Sequence, residues 1–403
     1  MRFLRTESST NHERTCDRIP TRGGAVTTAG SGIITPEALE KLRALVGTEL
    51  KINALPHLTE VTEDAIRHWA YGIGDRNPLW TDAEGGHNTR FEGRIAPSTM
   101  ILCFSRLATG YAGGLPGVHG LYAGSDYTWD RQLKVGDRLN PTAILEDVVE
   151  KEGRYSGRAL DQIARITFHR QDGERLATGT SWVFRMESGA ARSAGKHDEM
   201  EPAAYTQEDL ERIWAVVDAE EPRGDKPRYW DDVVEEDLIP DVVKGPLTIS
   251  DNVMFAMAWG GAFVRAHGFA RDYYRKHPGV FAVNDQGVPD FNERVHWDRE
   301  FAQSVGLKHG YDYGGQRFAW MGHLVTNWMG DRGFLRRLRV EFRRFNLIGD
   351  TTWCQGRVVR KYLDGEEPAV DLEIWSKDQR GVITTKGLAT VYLERRPPAD
   401  EKG

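Results

Sequence analysis

The chemistry legible in this chain starts from one histidine and the groups spaced around it. In Asp290-Phe-Asn292-Glu-Arg-Val-His296-Trp-Asp298 an imidazole stands among three acids and an amide. A neutral imidazole can take a proton from water near neutral pH, and a carboxylate and a carboxamide can hold the water and orient the ring. Soon after comes Gly310-Tyr-Asp312-Tyr313-Gly314-Gly315-Gln316-Arg317, followed by the apolar-periodic stretch FAWMGHLVTNWMGD. The N–H groups that open such a helix are unpaired, carry partial positive charge and suit an oxygen that gains negative charge, and glycine lets that backbone come close. From residue types alone a second reading stays open for each. A histidine beside aromatic residues also occurs as a satisfied buried group, and Gly-Gly also occurs as a simple turn.

The elements that must hold these groups repeat. Two low-complexity stretches divide the chain: a tail at 1–32 ending in TTAGSG, and 187–205, small, charged and poor in bulky apolar residues. A bounded N-terminal unit of 33–186 and a C-terminal unit of 206–403 are expected. Thr62-Glu-Asp64 and Ser250-Asp251 each open a helical pattern, with a capping hydroxyl and an acid in the first turn. Val135-Gly136-Asp137 matches Ile348-Gly349-Asp350, and GERLATGTSWVF matches GVITTKGLATVYL. The growing offset between matches places an insertion in the second half, near Ala262–Asp290. Each half reads as a strand, a helix, a Pro/Gly-rich loop, a second helix and three or four strands, with turns at Gln171-Asp-Gly-Glu and Lys377-Asp-Gln-Arg-Gly. That is an α+β layout, two copies side by side as a fused pseudo-dimer.

Composition narrows the functions. The 403 residues carry a net charge of −7, which argues against nucleic acid or an anionic membrane as partner. Cys16, Cys103 and Cys354 are too few and scattered for a disulfide framework or a zinc site and fit a reducing cytoplasm. No apolar run approaches the roughly 20 residues of a membrane span, and residues 1–32 read as a disordered tail or, less well, as a targeting segment. No ligand cluster has metal spacing.

Ala70-Tyr-Gly-Ile-Gly74-Asp75-Arg-Asn77-Pro78-Leu-Trp80-Thr-Asp82, then Phe91-Glu-Gly-Arg-Ile95-Ala-Pro97-Ser-Thr-Met100 and the Gly136-Asp137 pair, resemble in order the landmarks of the MaoC-like hydratases and dehydratases. The second half resembles the same motif at Asp290–Asp298, with Phe301-Ala302 and Gly306-Leu307 after it. The resemblance implies two tandem hotdog domains, each an antiparallel sheet wrapped around a central helix. It implies reversible hydration of a trans-2-enoyl-CoA to an (R)-3-hydroxyacyl-CoA, within fatty-acid metabolism. On it, His296, Asp290 and Asn292 are the catalytic set, and a Gly314 or Gly315 N–H binds the thioester oxygen. No cofactor is implied beyond the CoA of the substrate.

The chain departs from the pattern twice. Trp80 stands where the first half should carry its histidine, so Asp75 and Asn77 mark a degenerate site there, with Asp75 read as a cap or hydrogen-bond acceptor. In the second half the spacing from Asp290 to His296 is six instead of five, with Glu293-Arg294 in place of one proline, and Asp285 is an alternative carboxylate. Tyr313, Arg317, Trp80 and Trp320 are expected to contact substrate, with Arg317 and Arg94 as phosphate candidates. His323 reads as a packing residue. The arginines 336, 337, 339, 343 and 344 read as a solvated strand face or as a contact to CoA phosphates. Two other functions stay open: an acyl-binding subunit completed by a partner hotdog chain, and an acyl-CoA thioesterase. The fused halves are expected to act alone or as a homodimer.

Overall fold

The computed structural model describes residues 32–51, 56–82, 89–152, 158–187, 203–260 and 264–398. Nearly all of the expected tail, Cys16, and 188–202 of the expected linker lie outside the described residues. The first half contains α1 (Pro36–Arg43), α2 (Glu63–Ile73), α3 (Pro78–Thr81), a 3₁₀ stretch (Ser98–Phe104), β1 (His119–Trp129), β2 (Leu139–Glu152), β3 (Arg158–Arg170) and β4 (Arg175–Met186). The second contains α4 (Gln207–Asp218), β5 (Leu238–Lys244), α5 (Ile249–Trp259), α6 (His267–Lys276), β6 (Phe281–Val283), β7 (Pro289–Phe291), α7 (Arg299–Ser304), α8 (Gly314–Met329), β8 (Phe334–Phe342), β9 (Thr352–Asp364), β10 (Glu367–Asp378) and β11 (Ile383–Tyr392).

Nine antiparallel strands form one sheet in the order β2-β3-β4-β1-β8-β11-β10-β9-β5. The two halves therefore meet edge to edge at β1 and β8, where each strand's open edge is satisfied by its counterpart. Along the seam Asp126 faces Arg339. The arginines read as a solvated face make the cross-strand pairs here: Arg337 grips the Asp126 carboxylate (Nε to Oδ1 2.8 Å), and Arg336 reaches Asp130 at 3.1 Å. In this α+β tandem hotdog arrangement α8 is the central helix. Every residue from Gly315 to Met329 is buried, against strands β1, β5 and β8 and against α2 and the 3₁₀ stretch of the first half.

The repeat is physical as well as textual. Thr62 and Thr248 cap α2 and α5 through their hydroxyls, and Gly74 and Gly260 end those helices in the left-handed region, at φ 65° and 96°. The second cap is Thr248, not Ser250: Asp251 closes a capping box with it, so the helix begins at Ile249. The Gly-Asp matches are one device used twice. Asp137 accepts Lys134 N and Arg170 Nε, while Asp350 accepts Leu347 N and the Arg380 guanidinium.

Two expectations fail in the first half. Its opening strand is reduced to isolated bridges from Val46 and Glu49 to β2. Its second helix is only the seven-residue 3₁₀ stretch, because Gly110, Gly114 and Gly117 follow at positive φ and no long helix survives there. The insertion near 262–290 is α6 with the β6–β7 hairpin, beginning after residues 261–263, which lie outside the described set. Among the described residues no helix is long and apolar enough to cross a membrane.

Helices α2 and α5 cross where Gly72 meets Ala258, and a β-carbon on Gly72 would sit 2.4 Å from that of Ala258. Gly72→Ala is therefore expected to lower stability by about 1–3 kcal/mol by overpacking, although alanine is the better helix former. Adding Ala258→Gly should recover most of the loss. Urea unfolding of the two variants checks this, and a single Gly72→Ala that raises the midpoint refutes the close crossing.

Candidate functional site

The buried helix α8 sets the geometry. Its first intrahelical hydrogen bond runs from Arg317 N to Tyr313 O at 3.1 Å, so the N–H groups of Gly314, Gly315 and Gln316 precede the ladder. Neither Gly314 N nor Gly315 N has a protein acceptor among the described residues. Gly314 keeps some exposure, whereas Gly315 and Gln316 are buried. A side chain at Gly314 would begin 2.6 Å from the Tyr122 ring of β1, so glycine is required there by packing. At Gly315 the same atom would meet Leu102 and Phe255 at an ordinary 3.4 Å. The helix start is held from behind by Asp312. Its carboxylate receives Arg317 Nε at 2.7 Å and Asn346 Nδ2 at 3.1 Å.

His296 ends a 3₁₀ turn, Asn292–His296, and lies 9% exposed against this helix start. Its ring stacks on Tyr313 at 3.8 Å and contacts Tyr311 at 4.5 Å. Nδ1 is 2.8 Å from the Tyr311 carbonyl oxygen, which can only accept, so in the neutral ring the proton sits on Nδ1. Nε2 is then a lone-pair acceptor with no protein partner among the described residues. Burial lowers the imidazole to about 4, against the small opposing pull of the Tyr311 carbonyl, so the ring is neutral at pH 7. Asn252, fully buried on α5, fixes the pose: its amide donates to the carbonyls of both His296 (2.8 Å) and Tyr311 (3.0 Å).

The acids expected beside this ring are elsewhere. Asp290 sits on β7 with Oδ1 accepting Phe291 N at 2.7 Å, and no hydrogen bond or ion pair joins it to His296 among the described residues. The six-residue spacing is the reason: the extra residue closes the 3₁₀ turn and leaves Asp290 on the hairpin behind it. Asp285 lies exposed at the hairpin tip. Asn292 donates to Gly279 O at 3.2 Å and so anchors the insertion, not a water at His296. Asp298 caps α7 and pairs with Arg294 at 2.7 Å.

The substrate contacts expected from sequence divide likewise. Tyr313 is at the site. Arg317 is 2% exposed, paired with Asp312 and bonded to the Arg344 and Thr384 carbonyls, so it is buried and committed within the fold instead of facing a phosphate. Arg94 donates to Asp82 O at 2.7 Å. Trp80 and Trp320 are core residues. A cavity of about 230 Å³ between the halves is lined instead by Leu102, Trp259, His57, Arg106 and Arg265, among others. Trp259 is its wall toward the site, 5.8 Å from the Tyr313 ring.

The first-half site is closed, and it is ionic. Asp75, 3% exposed, accepts Asn77 N at 3.0 Å and Trp80 Nε1 at 2.9 Å, so the indole that replaces the histidine of the motif satisfies the carboxylate it displaced. His323 of α8 enters from the other half, its Nε2 3.4 Å from Asp75 and 3.0 Å from Glu220. Lys244 Nζ lies 2.8 Å from His323 Nδ1 and donates to Gly74 O at 2.8 Å. An ammonium only donates, so Nδ1 accepts and the Nε2 proton faces the two carboxylates. Asn327 also contacts Glu220 at 3.2 Å. Burial alone would raise Glu220, but the His323 hydrogen bond and the Lys244 charge, with Asn327, hold it at about 2. Burial lowers Lys244, against the pull of Glu220 and Asp75. His323 is thus a polar link between halves and not an apolar packing residue. Lys244, Glu220 and Asn327 were missed because nothing local marks them, and Asn252 was missed although its surroundings do. The one available signal was a polar residue inside an apolar helical run, as at Asn252 and His323.

A family model for the FAS1-like dehydratase domain region matches residues 44–179, about a third of the chain. A UPF0336 protein of Streptomyces coelicolor is 29% identical over 140 residues, 34% of this chain and 88% of that protein. A probable enoyl-CoA hydratase alpha subunit of Thermomonospora curvata is 27% identical over 132 residues, 28% of this chain and 41% of that protein. Among solved structures, a MaoC-like dehydratase superposes with TM-score 0.60 at 21% identity, covering 88% of this chain and all of that one. A Mycobacterium tuberculosis protein described as a double hotdog fold superposes with TM-score 0.52 at 11% identity, covering 85% and 96%. At these identities the structural likeness establishes the fold.

The Glu220 carboxylate predicts how the joint responds to acid. Its folded value lies below the usual 4.5, so its stabilising contribution is present above about 4.5 and fades as pH falls toward 2. The loss should reach up to about 3 kcal/mol. Urea midpoints at pH 6 and pH 3 should fall further for the native chain than for Glu220→Gln, and equal falls would contradict the network.

Proposed function

We propose that this chain, which shares the fold of a MaoC-like dehydratase and matches a dehydratase-domain family model over about a third of its length, is a hydro-lyase that adds water reversibly across the double bond of a 2-enoyl thioester carried on CoA, with the reaction at the start of α8 in the second half. The observation that carries this reading is the neutral His296 stacked on Tyr313, beside the Gly314 and Gly315 N–H groups, which have no acceptor among the described residues.

The parts divide the work as follows. His296 Nε2 takes a proton from water while the hydroxyl oxygen bonds to C3. The C2=C3 electron pair moves into the enolate, whose oxygen is received by the N–H groups at Gly314 and Gly315. Such donors are worth most in a dry site at fixed positions, and helix α8 cannot rotate them away. A proton then reaches C2 and the thioester re-forms. The low value of His296 makes it a weak base, so polarisation of the thioester must supply much of the drive. CoA, the acyl carrier that the related hydratase name suggests, is outside this geometry, and the cavity beyond Trp259 offers space for part of the ligand.

The separation of Asp290 from His296 favours a second reading, an acyl-binding subunit that needs a partner chain. The purified chain with crotonyl-CoA and longer enoyl-CoAs decides between them. The hydratase reading expects turnover without a partner, and a His296→Ala variant slowed by about 10²–10⁴-fold. It also places the acid limb of the pH profile near 4, where the imidazole gains its proton. Turnover only on adding a second hotdog chain supports the subunit.

A further inference from the structure

The reaction needs an acid for C2, and Asp290 is turned away. We propose that Glu293 is the carboxyl partner of His296, giving a proton to C2 of the acyl thioester as His296 removes one from water; this rests on the hydro-lyase reading above.

Glu293 and His296 lie three residues apart in one 3₁₀ turn. In that helix residues i and i+3 eclipse, so the two side chains leave the same face. The neighbouring Arg294 does not neutralise the acid: it is bound to Asp298 at 2.7 Å and stacked over Phe301 at 4.3 Å. Glu293 itself is half-buried and makes no hydrogen bond or ion pair among the described residues. Its charge acts on Tyr311 and Tyr313, the two rings that clasp His296, and adds to burial in pushing both phenols up. The other charges around this face are committed: Asp312 to Arg317, and Asp298 to Arg294.

The pair is also matched in its protons. Burial pushes the Glu293 carboxyl up to about 7 while the imidazole is held at about 4. At neutral pH the resting site therefore contains a substantial fraction of protonated acid beside a neutral base, the reverse of an ordinary carboxylate–imidazolium pair. Hydration consumes that arrangement. The water O–H bond breaks, its proton goes to Nε2, its oxygen bonds to C3, and the Glu293 O–H proton bonds to C2. The imidazolium and carboxylate left behind return to the resting state by moving one proton from Nε2 to Glu293, so one water is added and no other reactant is needed. The two residues that stand in place of the single proline of the family motif thus have separate uses: Arg294 anchors the turn and Glu293 arms it.

The test compares the full-length chain with Glu293→Gln, close in shape, and Glu293→Asp, which keeps an acid on a shorter arm. Hydration of crotonyl-CoA is followed across pH, and thermal unfolding controls for folding. The expected result is a kcat lowered on the order of 100-fold in the Gln variant with KM little changed. The native fall in activity as pH rises through about 7 should vanish in Gln and return, displaced, in Asp. A Gln variant within about threefold of native rate, with the alkaline limb intact, overturns Glu293 and leaves the hydro-lyase standing. A native chain that hydrates no enoyl thioester, short or long, overturns both.

Discussion

Helix α8 is buried from Gly315 to Met329, so the N–H groups at its start have little water to turn toward. Unpaired backbone donors in such a position are a standing electrostatic demand for an acceptor. Strand β1 of the first half presses Tyr122 onto Gly314, and Asp312 with Arg317 fixes the loop from the other side. The nine-stranded sheet and the repeated helix pair are what keep that helix end in place. The chemistry assigned to His296 is meaningful only because the ring is stacked on the residue that opens α8.

The two halves began from one plan and have diverged at the same point. In the first, an indole fills the place of the imidazole, and Asp75 is enclosed by Trp80, Asn77 and a histidine from the opposite half. Two carboxylates and an ammonium around His323 then join the halves from inside. Such a network stabilises only while all its members are satisfied, since a single buried charge left alone is costly. In the second half the polar groups are fewer and less satisfied: Nε2 of His296 and the helix donors await partners. One half has become a joint and the other has stayed open.

The tandem plan was legible in sequence because its signals are local. The capping threonines, the glycines after helices, the Gly-Asp turns and the alternating strands each need only their own neighbours. His296 and Gly314 were legible for the same reason, as one motif and one helix start. What could not be read was pairing across distance. Arg317 looked like a phosphate ligand because nothing nearby in sequence showed that Asp312 would fold back onto it. Asp290 looked like a catalytic acid because a one-residue insertion was counted as slack, whereas it closes a 3₁₀ turn and changes which side chain shares a face with His296. His323 and Lys244, 79 positions apart, meet only in the folded chain.

The most direct measurement of the central claim is the carbonyl of a bound enoyl thioester, by isotope-edited infrared difference spectroscopy. Proline is tolerated in the first turn of a helix and lacks the N–H, so Gly315→Pro removes one donor while α8 persists. The account predicts that the native chain shifts the carbonyl stretch to lower frequency than in water, and that the proline variant loses part of that shift. A carbonyl at its solution frequency in the native complex would contradict it.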